Sequence, residues 1–487
     1  MKKKVQLLLT GLLLLSSHVF AQSGITWNAT IDVNIMSMFG NQHPRIVLDR
    51  SGDPMVLWGN SSNNNAYFSK WNGSSFSVPL IVNTGVPVFA ASWAGPDITS
   101  SGDTVYVVVK ETPETTNPAY MFTSFNGGTS FTGPAQVDGS ISDSISRFPS
   151  VTTDNTGNPV VAFMKIDPSF NNARWVVTKS TDYGATFSTD ILASNWSGGD
   201  VCDCCPASIT SSGNTVSVMY RDNNSNIRDM WTGISNNGGT SFSGGFALDS
   251  PNWMLLACPS SGPDGVIVGD TLHSVLMSGF TGDYLIYYSK SSISAMANSS
   301  VVPLTGLLPG LTLQNFPRIA MDGSAVGVVW KQSVSGESQL PLLFTNNIAN
   351  GFPTQFDTVD LVDVTNADIA IKNGVIHIVW EDPGSGTVKY RSGTFNSVVG
   401  IENADVSSNM QVYPNPATNI IQLQIGNGYT GNVELSINDL LGQKVSSSIV
   451  TINDGKTTVD ISSLTTGVYL LDLIINNEHF ATRIVKN

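Results

Sequence analysis

The sequence predicts an all-β chain: a β-propeller of four-stranded blades, then a small C-terminal β-sandwich. Three observations carry that expectation. One strand pattern repeats seven times at a period of a little over fifty residues. β-Branched runs alternate with Gly, Asn and Asp turns, while heptads and helical caps are scarce. The composition changes after Gly400, where a new module begins.

The N-terminus, "MKKKVQLLLTGLLLLSSHVFAQ", has three lysines, an apolar run and small residues ending at Ala21. It reads as a signal peptide over residues 1–21, cut after Ala21. No later stretch reaches the roughly 18 consecutive apolar residues of a spanning helix, so no transmembrane segment is expected after its removal. The mature chain should therefore meet an oxidising compartment. Only 12% of residues are charged and the net charge is -14, without a basic patch. This argues against nucleic acid as a partner, because neutralising phosphates requires clustered Lys and Arg.

Each repeat holds a proline or its stand-in, a short strand, a Gly turn and an apolar strand ending in charge. The units start at His43 ("HPRIVLDRSGDPMVLWGN"), Gly95, Phe148, Cys205, Gly262, Phe316 and Ala367 ("ADIAIKNGVIHIVWED"). A third strand follows each, and usually a fourth, as in a propeller blade. The seventh unit stops after its third strand, and "GITWNATIDVN" (Gly24 to Asn34) reads as the missing fourth. It is expected to close the ring and hide two sheet edges. Seven blades are favoured, with six as the alternative.

Between the third and fourth strands stands a recurrent turn. "STDYGATF" has the frame Ser180, Asp182, Gly184 and an aromatic Phe187. "SFNGGTSF" (Ser124, Asn126, Gly128) and "SNNGGTSF" (Ser235, Asn237, Gly239) keep it with Asn for Asp, and "SKWNGSSF" has Trp71 at the acidic place. The carboxylate or amide can bond nearby backbone amides, and the glycine permits positive φ. On these motifs the chain resembles the sialidase-like, Asp-box (BNR repeat) propeller family over residues 22–399. In that family the Asp-boxes lie far from the active site, so they mark the fold. The resemblance implies an arginine triad, a tyrosine nucleophile with a glutamate, and an aspartic acid donor. The chain departs from this set. Arg147-Phe148-Pro149 is the nearest Arg-x-Pro element but falls in the third unit, Arg45 and Arg318 follow their prolines, and Tyr390 beside Arg391 only imitates a nucleophile and its arginine.

After a linker over residues 400–411, "VYPNPATNIIQLQI", "INDLLGQKV", "GVYLLDLII" and a terminal "RIVKN" follow in order. Residues 412–487 look like the type A sorting domain of the type IX secretion system. That resemblance implies a Bacteroidetes-type host and handling by the type IX machinery, with passage through the periplasm to the outer surface or the medium. It also implies removal of the domain. A carbohydrate-binding appendage is the minority reading of the same strands.

Strand polarity sorts residues by face. If the first strand of each unit runs down from its proline, the second returns to the upper face, and the Asp-boxes fall on the lower one. Charges collect at the second-strand ends: Lys110-Glu111, Lys165 with Asp167, Arg221-Asp222, Lys331 and Glu381-Asp382. They are expected to ring the channel mouth, where propellers bind ligands. The alternative is that strand ends are charged merely because they meet solvent. Glu111, Asp167, Asp222 and Glu381 are the candidate catalytic acids or bases. Arg45, Arg147, Arg221, Arg228, Asp229 and Arg318 are the candidate ligand-binding residues, since guanidinium grips carboxylates in two-pronged fashion. Equally, in "YRDNNSNIRDMW" each arginine can pair with its neighbouring aspartate, Arg221 with Asp222 and Arg228 with Asp229, to hold the loop.

"DVCDCCPAS" carries Cys202, Cys204 and Cys205, and the fourth cysteine, Cys258, lies in the next unit. The repeat brings all four to the inner upper edge of neighbouring blades. Of the three full pairings, a Cys204–Cys205 bond between sequence neighbours is strained, and Cys205–Cys258 is the easier bridge. Disulfides suit an exported chain. The alternative is a soft thiolate site for copper or zinc, though tighter than ordinary zinc spacing; no cofactor is otherwise required.

These features point to a secreted or surface propeller that binds, and in one version processes, a glycan or glycoprotein. The alternatives are an active exo-sialidase or other glycoside hydrolase, and a structural adhesion module or thiolate metal-binding propeller.

Overall fold

The computed structural model describes residues 24–34, 37–139, 144–305, 309–395, 410–425, 430–439, 444–475 and 478–487. The signal peptide, most of the 400–411 linker and residues 440–442 of the sorting motif lie outside the described residues. The chain divides into two compact units, Met1–Ser397 and Val398–Asn487.

Among the described residues of the first unit, seven antiparallel sheets follow one another in chain order. Their first strands are Asn41–Leu48, Asp97–Ser101, Ile145–Thr153, Ser208–Ser212, Asp264–Val268, Leu311–Asp322 and Ala367–Lys372. Each pairs with the second strand of its blade, and these second strands are the most deeply buried. Pro54–Asn60 and Thr104–Lys110 are apolar on both faces because each sheet is sandwiched between two others. Fourth strands such as Thr132–Gln136 are largely exposed. The side-chain pattern thus records distance from the axis.

Ring closure follows the expected route. Ile25, Thr26 and Trp27 pair with Phe395, Thr394 and Gly393, and Ile31 and Asp32 pair with Tyr390 and Lys389. Gly393 has to lack a side chain: a Cβ there would lie 2.5 Å from Ile25 and 2.9 Å from Trp27. Asn34 accepts the Val388 N–H at 2.7 Å, and Lys389 pairs with Asp32 at 2.7 Å. The first and last segments of the propeller therefore share one sheet, and the seven-blade count stands.

The Asp-boxes join neighbouring blades. In each, the serine hydroxyl accepts the glycine N–H (Ser124 to Gly128 2.9 Å, Ser180 to Gly184 2.8 Å, Ser235 to Gly239 3.0 Å). The Asp182 Oδ1 accepts the Thr186 N–H at 2.9 Å, and Asn126 and Asn237 accept Ser130 and Ser241 in the same way. Bonds from the Thr186 hydroxyl, the Thr186 N–H and Ser180 hold the Asp182 carboxyl down at about 2. Each glycine rests on the preceding blade, Gly128 on Phe68, Gly184 on Thr123 and Gly239 on Val160. The turn is thus a packing device as well as a reversal.

The second unit is described by itself. Met410–Tyr413, Ile420–Ile425 and Lys456–Asp460 form one sheet, and Gly431–Asn438, Lys444–Ile452, Gly467–Ile475 and Glu478–Lys486 form the other. Ile421 and Leu423 of the first sheet share a core with Val433, Leu435, Leu471 and Leu473 of the second, which makes a β-sandwich.

Gly128 sits at φ +77°, and an added Cβ would meet the Phe68 ring at 2.2 Å. Gly213, at φ +57°, has nothing within 4 Å. Gly213→Ala should cost about 1 kcal/mol from the left-handed backbone alone. Gly128→Ala should cost a further ~1–3 kcal/mol from overpacking. Denaturant titration of the two variants checks the ordering.

Candidate functional site

The channel mouth is built from the first strands. His43, Phe148 and Phe316, each just before a proline, have φ of 57°, 51° and 52°. Proline and a side chain both disfavour that conformation. At each place the ladder slips, between Gln42 and Arg45, Arg147 and Ser150, and Asn315 and Arg318. These are β-bulges, which re-aim side chains. All three residues line a cavity of about 50 Å³ together with Arg45, Trp93, Asp97 and Arg318. It has room for a carboxylate group or a few waters.

Carboxylates from the intervening blades hold the bulged strands. Asp97 Oδ2 accepts the Val151 N–H at 3.0 Å and the Ser150 hydroxyl at 2.7 Å. Asp264 Oδ2 accepts the Ile319 N–H at 3.0 Å, and Asp368 Oδ2 accepts the Ile46 N–H at 2.9 Å. In each case the amide lies two residues after the proline of the next blade. The sequence carried this signal as Gly95-Pro96-Asp97 and Gly262-Pro263-Asp264, which sequence reasoning passed over. The glycines are needed because His43 Cβ would stand 2.8 Å from a Cβ on Gly95, and the Pro206 carbonyl 1.9 Å from one on Gly262.

Two arginines reach this mouth. Arg318 pairs with Asp264 at 3.3 Å. Arg45, only 3% exposed, donates to the Pro44 carbonyl at 2.7 Å and to His43 Nε2 at 2.5 Å. Its Nε has no partner, and among the described residues no carboxylate forms an ion pair with it. Burial, then Arg318, lowers the guanidinium to about 10, against the pull of Asp368, Asp97 and Asp264. Burial and the two arginines hold His43 well below its ordinary value, so it is neutral and can accept from Arg45.

Glu381 occupies a recess beside the mouth, with Asn41, Gln42, Ser92 and Thr365. Its Oε1 accepts the Thr365 and Asn366 N–H groups at 2.9 and 2.7 Å, and its Oε2 has no partner. Burial pushes the carboxyl up to about 7, against Asn366 and Thr365 bonds and the charge of Arg45. Asn366 lines the mouth itself and donates to the Ser92 carbonyl, so the two spaces share a wall.

The other expected charges do not ring the mouth. Second strands lie one strand outward, and their ends are absorbed by loops. Lys110 is buried against Asn117 and Ser146, Lys165 pairs with Asp190 at 3.0 Å, and Lys331 pairs with Asp363 at 3.2 Å. The Glu111 backbone bonds Pro118, and Asp167 serves its own hairpin through Asn172 and Arg174. Asp222 is buried with one oxygen unpartnered and is pushed up to about 7 by burial, then by Asp229. Arg221 binds neither Asp222 nor a vacant space. Its guanidinium donates to the Ser261, Arg228 and Met277 carbonyls at 3.1, 2.7 and 2.7 Å, tying blade four to blade five. Asp229 accepts the Asn252 and Trp253 N–H groups, and Arg228 donates to the Leu255 carbonyl. Among the described residues neither arginine forms an ion pair with its neighbouring aspartate, so the pairing expected to hold the loop is not made; the guanidiniums bind backbone carbonyls instead. Arg147 is committed to Glu114 at 2.9 and 3.1 Å and to the Asp203 carbonyl at 2.5 Å. Tyr390 lies two strands out, bonded to His377 at 2.7 Å and packed on Phe76, while Arg391 lies over Trp27. That pair does not form a nucleophile and arginine at the channel.

The cysteines form two disulfides, Cys202–Cys205 within the loop and Cys204–Cys258 between blades. The interblade bridge thus uses Cys204 where Cys205 was expected. Cys202 and Cys205 are fully buried with the loop folded over them, and Cys204 is the member left to reach out.

Fold and tail together define an exported propeller. Residues 411–487 match the family of secretion system C-terminal sorting domains. The chain is exported by type IX secretion to the cell surface or beyond. No described helix is long and apolar enough to cross a membrane. Comparison with curated proteins finds no match. Among solved structures, the Hadza microbial sialidase Hz136 is similar at 12% identity and a TM-score of 0.43, over 76% of this chain and 69% of that one. The polysaccharide lyase PL25 ulvan lyase gives 10% and 0.47 over 74% and 95%, and a protein of unknown function from Dyadobacter fermentans DSM 18053 gives 10% and 0.47 over 77% and 100%. At such scores none of the three bears on the chemistry of this chain.

Glu381 also makes a pH prediction. Its ordinary value is 4.5 and folding raises it to about 7, so the folded chain binds the proton more tightly than the unfolded one. The stability it contributes is present below 4.5 and is lost as the pH rises through about 7. Glu381→Gln should therefore gain on the wild type as pH rises across that window, read as the difference in melting temperature.

Proposed function

We propose that this exported propeller binds a carboxylate-bearing glycan or glycoprotein at its channel mouth. The observation that carries this is Arg45: a buried guanidinium with an unpartnered Nε and no ion-paired carboxylate. A buried guanidinium N–H without an acceptor is costly even with carboxylates nearby, and an incoming carboxylate that accepts from it relieves that cost. The small cavity takes the acid group, and Trp93, Phe148 and Phe316 offer apolar rims to the remainder of the sugar. Isothermal titration with a sialylated oligosaccharide and an oligogalacturonate, each against its neutral counterpart, tests the reading. The acidic form of at least one pair should bind preferentially, and Arg45→Met should weaken it by about tenfold or more with its melting temperature monitored. Equal binding of acidic and neutral forms, or unchanged binding by a folded Arg45→Met, would falsify it.

Glu381 supports a second reading, glycoside hydrolysis. A buried carboxyl pushed up to about 7, with one oxygen that has no hydrogen-bond partner, has the properties of a proton donor at neutral pH. On this reading fluorogenic glycosides are turned over by the wild type and not by Glu381→Gln, whereas Glu111, Asp167 and Asp222 are dispensable to the chemistry. A wild type silent on every glycoside removes hydrolysis and leaves binding.

A further inference from the structure

The four cysteines are graded by access. Cys258 is exposed, its partner Cys204 is half-buried, and Cys202 and Cys205 are fully buried. The two disulfides also touch: Cys204 Sγ lies 3.5 Å from Cys202 Sγ, and all four sulfurs fall within 4.8 Å of one another. A thiol from solvent therefore has one sulfur to attack, and the thiolate it releases already faces the second bond.

We propose that Cys258 is a thiol-exchange site for low-molecular-mass thiols, with the buried Cys202–Cys205 pair as the relay behind it. The entering thiolate forms a bond to Cys258 Sγ, the Cys204–Cys258 bond breaks, and Cys204 leaves as a thiolate. Cys204 then bonds Cys202, the Cys202–Cys205 bond breaks, and Cys205 carries the charge until it takes a proton from water. Two protein disulfides become one mixed disulfide at Cys258 and one Cys202–Cys204 bond, with Cys205 as the free thiol. The proton lost by the entering thiol returns on Cys205, and there is no net oxidation or reduction. The relay is independent of the glycan reading, but it is not remote from the mouth. Ser260, whose hydroxyl lies 3.2 Å from Cys258 Sγ, lines the cavity with Pro206. An adduct on Cys258 therefore stands beside the mouth.

The test uses the full exported chain treated with glutathione, quenched in acid, alkylated with N-ethylmaleimide and mapped by mass spectrometry. The first adduct should be one glutathione on the peptide containing Cys258. Longer exposure should move the alkylated position to Cys205 and produce a Cys202–Cys204 cross-link. In Cys202→Ser with Cys205→Ser, the adduct should stay at Cys258 and the alkylation at Cys204. A first adduct on any other cysteine overturns the proposal. So does alkylation that stays on Cys204 in the wild type with Cys202–Cys205 intact, or stoichiometric copper or zinc with no disulfides in the untreated chain.

Discussion

The propeller depends on a carboxylate that crosses from one blade to the backbone of the next. Asp97, Asp264 and Asp368 each accept an N–H on the neighbouring inner strand, at Val151, Ile319 and Ile46. The links run from blades two, five and seven into blades three, six and one, so the last crosses the point of closure. Each is charge-assisted and worth about 1.5–3 kcal/mol. The bulged residues they hold, His43, Phe148 and Phe316, sit in a left-handed conformation that costs of order 1–3 kcal/mol each. The two magnitudes are comparable, so the carboxylates can maintain the strained backbone. They cannot do so without the ring, because donor and acceptor belong to different sheets.

That arrangement places opposite charges at the axis unequally. Arg318 pairs with Asp264 of the preceding blade, whereas Arg45 forms no ion pair among the described residues with Asp368 of its own preceding blade and rests on neutral His43. Three carboxylates spend oxygens on backbone N–H groups, and Arg45 is left short of a counter-charge. The requirement for blade-to-blade hydrogen bonds thus produces, as a by-product of the scaffold, a cation at the floor of the mouth.

Much of the fold was legible because it is written in backbone chemistry that repeats. The Ser, Asp or Asn and Gly frame of each Asp-box has to recur, since every copy makes the same bonds and rests on the blade before it. The closing segment was legible because Ile25 and Trp27 face a seventh unit with an empty edge. The mouth was less so. Lys110, Lys165 and Lys331 are conspicuous in a chain with few charges, but radial position decides exposure to the channel, and a second strand stands about 4.8 Å further out. Arg45 and Arg318 were legible as candidate ligand-binding residues beside their prolines, but their setting was not, because the acids that organise them come from other blades. The cysteine pairing also escaped prediction, for the repeat locates Cys205 but not how the preceding loop folds over it.

The same radial logic separates scaffold from chemistry among the buried ionisable groups. Asp222, Asp249 and Glu381 are all pushed up to about 7 by burial, so this property alone does not mark a site. Asp249 accepts the Met230 N–H, and Asp222 lies under Asp229, in the packed join between blades four and five that Arg221 ties through backbone carbonyls. Glu381 differs in its neighbours: its bonded amide belongs to Asn366, which lines the mouth, and the cation that acts on it is Arg45. A charge entering the mouth and neutralising Arg45 would remove one influence that favours ionised Glu381, beside the larger one of its backbone amide bonds. An anion bound beside Arg45 would thus favour protonated Glu381, and the wall that Asn366 makes between the mouth and the recess is where the two would communicate.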